Sequence, residues 1–472
     1  MHSGCTDIDG SRQHTDDLSG EILMNIKAKL STFDATMIVV SLVIGIGIFR
    51  TPAMVAAATG TPFVFFAAWI VGGFISFLGA LTFAEIGSRF PKPGAFYKVV
   101  AESFHPSVAF MLNWTNVTIV NGAGGAAVAM IGAEYVVPIL FPELKQNQQV
   151  TQYTAAVLVS VLIVVNYLGI KSGAWTQNIL TIIKIGMILM LGFVAFYFAG
   201  SVPADAGSVQ ASDPLWIAFG VGLISVFYTY GGYQCTLNFG GDIRSPERNM
   251  PRAIFFGISI IIGLYLLINV AYYSVLGISG IAGSKLVAAE VAKICFGQSA
   301  YLIVSIAIFL SALGFVNVTL MQIPRSYYAM AQDGALPKIF MRINEKTQAQ
   351  EFTLLFFGGT VLLCVFFLGT FERIVNYVMV FDTLNNATVA ATIFVLRRRG
   401  VVSQNGKAYQ VPFYPYLPAF FVLFLLFITV NVIATQPASI LVGGAILLAG
   451  YPVFLILRRV SSNETSARRP NS

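Results

Sequence analysis

Two pairs of glycines stand at the centres of long apolar runs. The first run reads Thr36-Met-Ile-Val-Val-Ser-Leu-Val-Ile-Gly-Ile-Gly-Ile-Phe-Arg and holds Gly45 and Gly47; another reads Ser225-Val-Phe-Tyr-Thr-Tyr-Gly-Gly-Tyr-Gln and holds Gly231 and Gly232. Glycine inside a helix costs about 1 kcal/mol relative to alanine and frees the backbone to unwind. An unwound turn bares amide N–H groups where a helix restarts and carbonyls where one stops. The restarting end carries about +0.5 of a charge and suits a carboxylate. Amides of Gly45, Ile46 and Gly47 could therefore meet a carboxylate. Carbonyls near Val43, Ile44, Tyr228 and Gly231 could meet an ammonium. The chemistry on offer is the binding of a zwitterion without a charged side chain. Tyr228, Tyr230 and Tyr233 are placed to bound what the zwitterion carries and to close over it. The competing reading is that the glycines only let helices pack closely, but neither run has the four-residue spacing of small residues at its break.

Charged residues inside apolar runs are costly and by default mark a functional partner. Lys184, in Thr181-Ile-Ile-Lys-Ile-Gly-Met, lies about 13 Å along a helix from Trp175. It either meets a partner in the interior or snorkels to the interface. Asp382 lies near mid-depth of its run, ahead of the Arg397-Arg398-Arg399 cluster. It can face a pocket, carry a proton, or pair with Asn385 or Asn386. Glu85 is expected to pair with Arg89 at an interface, and the arginine cluster to anchor topology. Cys5, Cys235, Cys295 and Cys364 are scattered, as are His2, His14 and His105. No disulfide framework or metal site follows from them, and no cofactor is expected. Cys235, beside the second glycine pair, reads as a packing residue or a thiol-reagent target.

The elements that must hold these residues follow from composition. Of 472 residues, 56% are hydrophobic and 10% charged, with a mean hydropathy of +0.77, whereas a soluble domain carries roughly 25% charge. Apolar segments are expected at 34–58, 62–87, 107–138, 151–170, 176–200, 214–239, 252–277, 300–325, 351–370, 373–396, 415–434 and 437–457, each long enough to span a bilayer. The predicted fold class is an all-α polytopic membrane protein with twelve transmembrane helices. With both termini cytoplasmic, most of the 28 basic residues fall in inner loops. Only Arg50, Lys145, Lys285, Lys293 and Arg373 then lie outside, and Lys184 lies within a helix. That bias selects the orientation and explains the net charge of +7 without a nucleic-acid partner. Residues 1–30 have no apolar core of a signal peptide and, like 460–472, read as a disordered cytoplasmic tail. The glycine breaks fall in the first and sixth segments, which open two five-helix halves, 31–200 and 201–399. Five being odd, the halves have opposite topology, and interrupted helices at matching places point to a transport site at the midplane. Residues 400–459 form two added helices.

The chain resembles the amino acid-polyamine-organocation superfamily, and within it the permeases similar to L-type amino acid transporters. The resemblance rests on four motifs in order: Gly45-Ile-Gly-Ile-Phe49, Tyr228-Thr-Tyr-Gly-Gly-Tyr233, Asp242-Ile-Arg-Ser-Pro-Glu-Arg-Asn-Met-Pro-Arg-Ala-Ile254, and Arg325-Ser-Tyr-Tyr-Ala-Met-Ala-Gln-Asp-Gly-Ala-Leu-Pro-Lys338. It covers about Phe33 to Arg459. It implies a LeuT-like 5+5 inverted repeat with two appended helices, and it assigns the backbone groups above to an amino acid substrate. It also implies that Lys184 contacts the unwound first helix where related transporters hold sodium. Two positions depart from the pattern: Tyr233 replaces a tryptophan, and Ile46 replaces a small residue between the glycines. The loop from Leu140 to Thr151 lacks the cysteine that animal members bond to a glycoprotein subunit, so no disulfide-linked heavy chain is expected. The function implied is secondary transport of neutral L-amino acids across the plasma membrane, by exchange or proton symport. A polyamine or cationic amino acid transporter of the same fold is the alternative, and it gains if Asp382 faces the pocket. A channel would want a selectivity motif or a ring of charges, and an enzyme a pattern such as His-Glu-x-x-His; the sequence has neither.

Overall fold

The computed structural model describes residues 28–45, 47–116, 121–144, 147–197, 214–284, 286–367, 371–402, 406, 408–435 and 437–467. Among them the regular structure is helical. In chain order the helices are α1 (Thr32–Val43), α2 (Gly47–Thr59), α3 (Pro62–Arg89), α4 (Ala95–Ser103), α5 (Pro106–Thr115), α6 (Gly122–Leu140), α7 (Gln148–Tyr167) and α8 (Ile170–Tyr197). They continue as α9 (Leu215–Thr229), α10 (Pro246–Gly283), α11 (Val287–Phe296), α12 (Ala300–Gln332), α13 (Glu351–Phe367), α14 (Phe371–Arg398), α15 (Tyr416–Thr435) and α16 (Pro437–Ala467).

Eight helices among the described residues are long and apolar enough to cross a membrane, and α1 with α2 makes a ninth span bent by 43°. Large apolar side chains such as Val157, Ile182, Phe193 and Leu423 are exposed along these helices. In water such a belt would aggregate; in a bilayer it is the lipid-facing surface. The protein is an integral membrane protein. The expected tenth and twelfth segments are helical as α14 and α16. α13 is a shorter apolar helix in place of the ninth. The described residues of the expected third segment lie in α5 and α6, and residues 117–120 are outside those described. α16 runs to Ala467, ten residues past its expected end and into the stretch read from sequence as tail. α4 and α11 were not expected. Their runs are too short to span, so hydropathy over a membrane-length window passes over them.

Local sequence explains where the site-bearing helices start. Ser31 and Asp34 form a reciprocal capping box at the start of α1: Ser31 N–H donates to Asp34 Oδ2 at 2.9 Å and Asp34 N–H to Ser31 Oγ at 3.2 Å. Thr61 caps α3, whose first residue is Pro62. α4 begins at Gly94, which has φ +61 and sits so close to α12 that a Cβ would lie 2.3 Å from the Arg325 carbonyl oxygen. In the core, α1 lies against α10 and α8, α3 against α10 and α9, and α12 against α6 and α8.

One end of the bundle is held by ion pairs that sequence spacing only half revealed. Glu85 is fully buried rather than interfacial. It accepts from Arg89 Nε at 2.6 Å, from Arg397 Nε and Nη2 at 2.7 and 2.6 Å, and from the Val411 N–H at 2.6 Å. Arg397 is therefore more than a topology anchor: it joins α14 to α3 and lies 3.8 Å over the Tyr414 ring. Nearby, Asp242 takes Arg325 Nε at 2.7 Å and Nη2 at 3.1 Å. The Asp242 carbonyl accepts the Lys29 and Leu30 amides, both at 2.8 Å. The segment before α1 is thus tied to the loop ahead of α10, and that loop to α12. Removing one partner of a buried pair costs about 3–5 kcal/mol because the other charge is left uncompensated. Glu85→Ala, which strands two guanidiniums, is expected to lower thermal stability in detergent by several degrees. A melting temperature within a degree of wild type would contradict this.

Candidate substrate site

Both glycine pairs break their helices. α1 closes with the Ile44 N–H on the Val40 carbonyl at 2.8 Å; the Gly45 N–H then turns back to Val43 O at 2.8 Å, and α2 starts at Gly47. Ile46 lies outside the described residues. α9 ends at Thr229, the Gly231 N–H reaches Tyr228 O at 3.1 Å, and Gly232 takes φ +124 before a short 3-10 helix from Tyr233 to Asn238. The two breaks touch. A Cβ on Gly232 would fall 2.3 Å from the Leu42 carbonyl oxygen, and one on Gly47 would fall 3.2 Å from Thr229 Cγ2. The Thr229 hydroxyl donates to Thr51 Oγ1 at 2.9 Å across the same crossing. Close packing and unwinding are therefore joint consequences of the glycines, since bare backbone is what allows the broken turns to meet.

The carbonyls that α1 releases are each met by a side chain from a different helix. Val43 O accepts from Tyr265 Oη of α10 at 3.1 Å, and Ile44 O from Lys184 Nζ of α8 at 2.8 Å. Gly45 O accepts from Ser311 Oγ of α12 at 3.3 Å. From sequence these carbonyls were expected to stand open to an ammonium. Val43 O also carries the Gly45 N–H, so both of its lone pairs are taken, and Ile44 O has a second, long contact from Ser311 Oγ at 3.5 Å. Lys184 is 3% exposed and also donates to Ser41 Oγ at 3.2 Å. It fills the space over Gly314, where a Cβ would meet its Cε and Nζ at 2.9 Å. That geometry is the opposite of a lysine reaching for the interface. Further along α8, Thr181 Oγ1 donates to Met37 O at 3.4 Å and Asn178 Nδ2 to Asp34 Oδ1 at 2.6 Å. α8 thus holds α1 at three successive levels.

A cavity of about 290 Å³ opens beside the crossing. Its walls are Leu42 of α1, Phe83 of α3, Asn121 with Gly124 and Val128 at α6, and Phe315 and Gln322 of α12. The second break supplies Phe227, Tyr228 and Gly231 through Cys235, while α14 supplies Asp382, Thr383 and Asn386, and α15 Phe421 and Leu425. Its volume is near the lower end of the range for small-molecule sites, roughly 300–1,000 Å³. The lining is mostly apolar, with carboxamides, a hydroxyl and one carboxylate. Tyr228 Oη and Thr383 Oγ1 are 2.7 Å apart, and Asp382 Oδ2 accepts from Asn386 Nδ2 at 2.9 Å.

Of the residues expected at the site, Tyr228, Gly231, Tyr233 and Asp382 line this cavity. Val43, Ile44, Gly45, Gly47 and Lys184 lie behind its wall, at the crossing itself. Tyr230 turns away: it is fully buried with its ring 5.9 Å from Trp69 and 5.0 Å from Tyr265. Its helical position is two residues from Tyr228, about 200° around the axis, so the two tyrosines cannot share a face. Of the three things allowed for Asp382, the geometry has it facing the pocket and pairing with Asn386. Tyr265, Ser311, Asn121 and Gln322 were not foreseen. Gln322 Nε2 donates to Asn121 Oδ1 at 3.2 Å, and Asn238 Nδ2 to Gln322 Oε1 at 3.3 Å. Polar side chains within an apolar run were their only sequence signal, and Ser311, Asn317, Gln322 and Arg325 give it together in α12.

The family model described as "Amino acid permease" matches residues 30–456. Among curated proteins, the chain is 27% identical to the large neutral amino acids transporter small subunit 2 of Homo sapiens, over 91% of this chain and 80% of that one. It is 25% identical to the serine/threonine exchanger SteT of Bacillus subtilis (strain 168), over 92% of this chain and 98% of the relative. It is likewise 25% identical to the human cystine/glutamate transporter, over 93% and 86% respectively. These relatives carry names of transporters and exchangers, not of enzymes. With a match that runs through both broken helices and the cavity between them, the chain belongs to the amino acid permease family.

Proposed function

We propose that this protein is a secondary active transporter that moves small neutral L-amino acids across the plasma membrane by alternating access. The observation that carries the reading is the contact of two broken helices, α1/α2 and α9 with its 3-10 continuation, beside a cavity of amino acid size. The N-terminal turn of α2 has amides without intrahelical acceptors and receives the carboxylate. The ammonium is received at the carbonyls near Val43, Ile44, Tyr228 and Gly231, displacing hydrogen bonds that the α1 carbonyls accept in this structure. Phe227, Tyr228 and Tyr233 bound the side chain. The Lys184 ammonium holds the break of α1 in the place of a bound cation. Helices 31–200 and 201–399 are the two inverted halves, 400–459 the added pair, and both termini face the cytoplasm. The names of the relatives, large neutral amino acids and serine/threonine among them, support the substrate class. The absence of cysteine between Leu140 and Thr151 supports action without a disulfide-linked heavy chain.

The test is uptake into proteoliposomes of a panel of labelled amino acids, with and without internal substrate and a pH gradient. Saturable uptake of small neutral L-amino acids over their D-forms is expected. Uptake of polyamines but not of neutral amino acids would overturn the substrate class. A second reading, a carrier of cationic amino acids or polyamines, is favoured by one observation, the presence of Asp382 in the cavity wall.

A further inference from the structure

We propose that Asp382 accepts one positive charge each time the site is occupied, so that every transported zwitterion is accompanied by a single unit of positive charge. The charge is a proton or the substrate's own cationic side chain. The inference rests on the amino acid transport reading and adds to it a charge stoichiometry and the residue that sets it.

Among the described residues, Asp382 is the one carboxylate in the cavity wall, and no lysine, arginine or histidine lines the cavity with it. Its hydrogen bond comes from a neutral amide, Asn386 on the same helix, at 2.9 Å. The groups that face it from other elements are also uncharged. Tyr228 and Cys235 come from the second break, Gln322 from α12, and Asn121 from the start of α6. α3 and α15 present Phe83 and Phe421. Of the buried cations on packed helices, Lys184 is committed to Ile44 O and Ser41, and Arg325 of α12 to Asp242.

A half-buried carboxylate with one amide partner becomes costly as a bare anion once the cavity loses its water, because the amide offsets desolvation less than a positive charge would. A neutral amino acid brings no spare charge, since its ammonium is held by helix-end carbonyls and its carboxylate by amides. When such a substrate fills the cavity and excludes water, a proton on Asp382 is what neutralises the wall. That proton is taken from water on the side where the cavity is open and returned to water on the other side. When the substrate has a cationic side chain, that side chain takes the proton's place. In both cases the occupied cavity is neutral and one positive charge crosses.

The full-length protein in proteoliposomes decides this. With a neutral amino acid such as alanine, one coupled proton raises the steady-state inside-to-outside ratio by about tenfold per unit of inward pH gradient. With lysine at equal pH, an inside-negative potential drives accumulation that competes with alanine. The first result assigns the charge to a proton, the second to a side chain, and either supports the proposal. Asp382→Asn, which keeps the shape and the Asn386 partner, is expected to reduce the gradient effect to a ratio near one and to abolish lysine accumulation. Asp382→Glu is expected to retain the drive, which separates loss of charge from loss of fold. Wild-type alanine ratios indifferent to the pH gradient, together with no potential-driven lysine uptake, would overturn the proposal while leaving transport intact. Failure to take up any amino acid would instead overturn the transport reading on which it rests.

Discussion

Gly232→Ala is expected to abolish transport, lowering initial uptake by more than tenfold at unchanged protein content in the membrane. Two effects add at this position. Its φ of +124 is a region that an L-residue adopts only with strain, at a cost of about 1–3 kcal/mol. The new methyl would also meet backbone, not a movable side chain: the Leu42 carbonyl oxygen at 2.3 Å, the Leu42 carbonyl carbon at 2.7 Å and the Val43 nitrogen at 3.2 Å. Relief requires moving the end of α1, whose carbonyls are proposed to receive the ammonium. Gly263→Ala is the matched control, because its Cβ would point into open space within α10. It is expected to transport at the wild-type rate. Equal rates for Gly232→Ala and Gly263→Ala, measured in the same vesicles, would show that contact between the two breaks is dispensable.

The second large effect is expected at Lys184. Hydrogen bonds to a charged group contribute about 1.5–3 kcal/mol each, and this ammonium makes one to Ile44 O and one to Ser41. Lys184→Ala removes both, leaving Ile44 O with only a long contact to Ser311 Oγ at 3.5 Å. We expect a rise in KM of tenfold to a hundredfold, with the protein still monodisperse in detergent. Lys184→Arg is not expected to restore the affinity, because the larger head group has no room over Gly314. If Lys184→Ala exchanged substrate with unaltered rate and affinity, the lysine would have to be a bystander despite its burial.

Lys184 also illustrates how far one-dimensional reading carries. Its depth in an apolar run was enough to mark it, because a charge there has no solvent to turn to. That it meets the unwound first helix came only through the resemblance, and its partner there, Ile44 O, only from the structure, since the contact spans 140 positions of chain. Tyr265 is the converse case. Nothing about a tyrosine in an apolar run distinguishes one that holds a helix-end carbonyl from one that packs. Tyr230, placed away from the cavity, is a like case: three neighbouring tyrosines look alike in sequence, and only the turn at the end of α9 sends Tyr230 toward Trp69 while Tyr228 and, past the break, Tyr233 line the cavity. Glu85 and Arg397 were read separately, as a local pair and as an anchor, because the bond between them joins α3 to α14.

What the sequence determined by itself was whatever depends on composition and on local backbone preference. Scarcity of charge put the chain in a membrane, the lengths of apolar runs set the spans, and paired glycines in two runs marked where helices fail. Tertiary structure decided which of the freed backbone groups stay available, which aromatic faces line the cavity, and that Asp382 stands in its wall without a cationic neighbour among the described lining residues. The division has a physical cause. Burial and helix breaking are governed by a residue and its near neighbours, whereas hydrogen-bond partnership and electrostatic compensation depend on distances between helices that sequence spacing does not record.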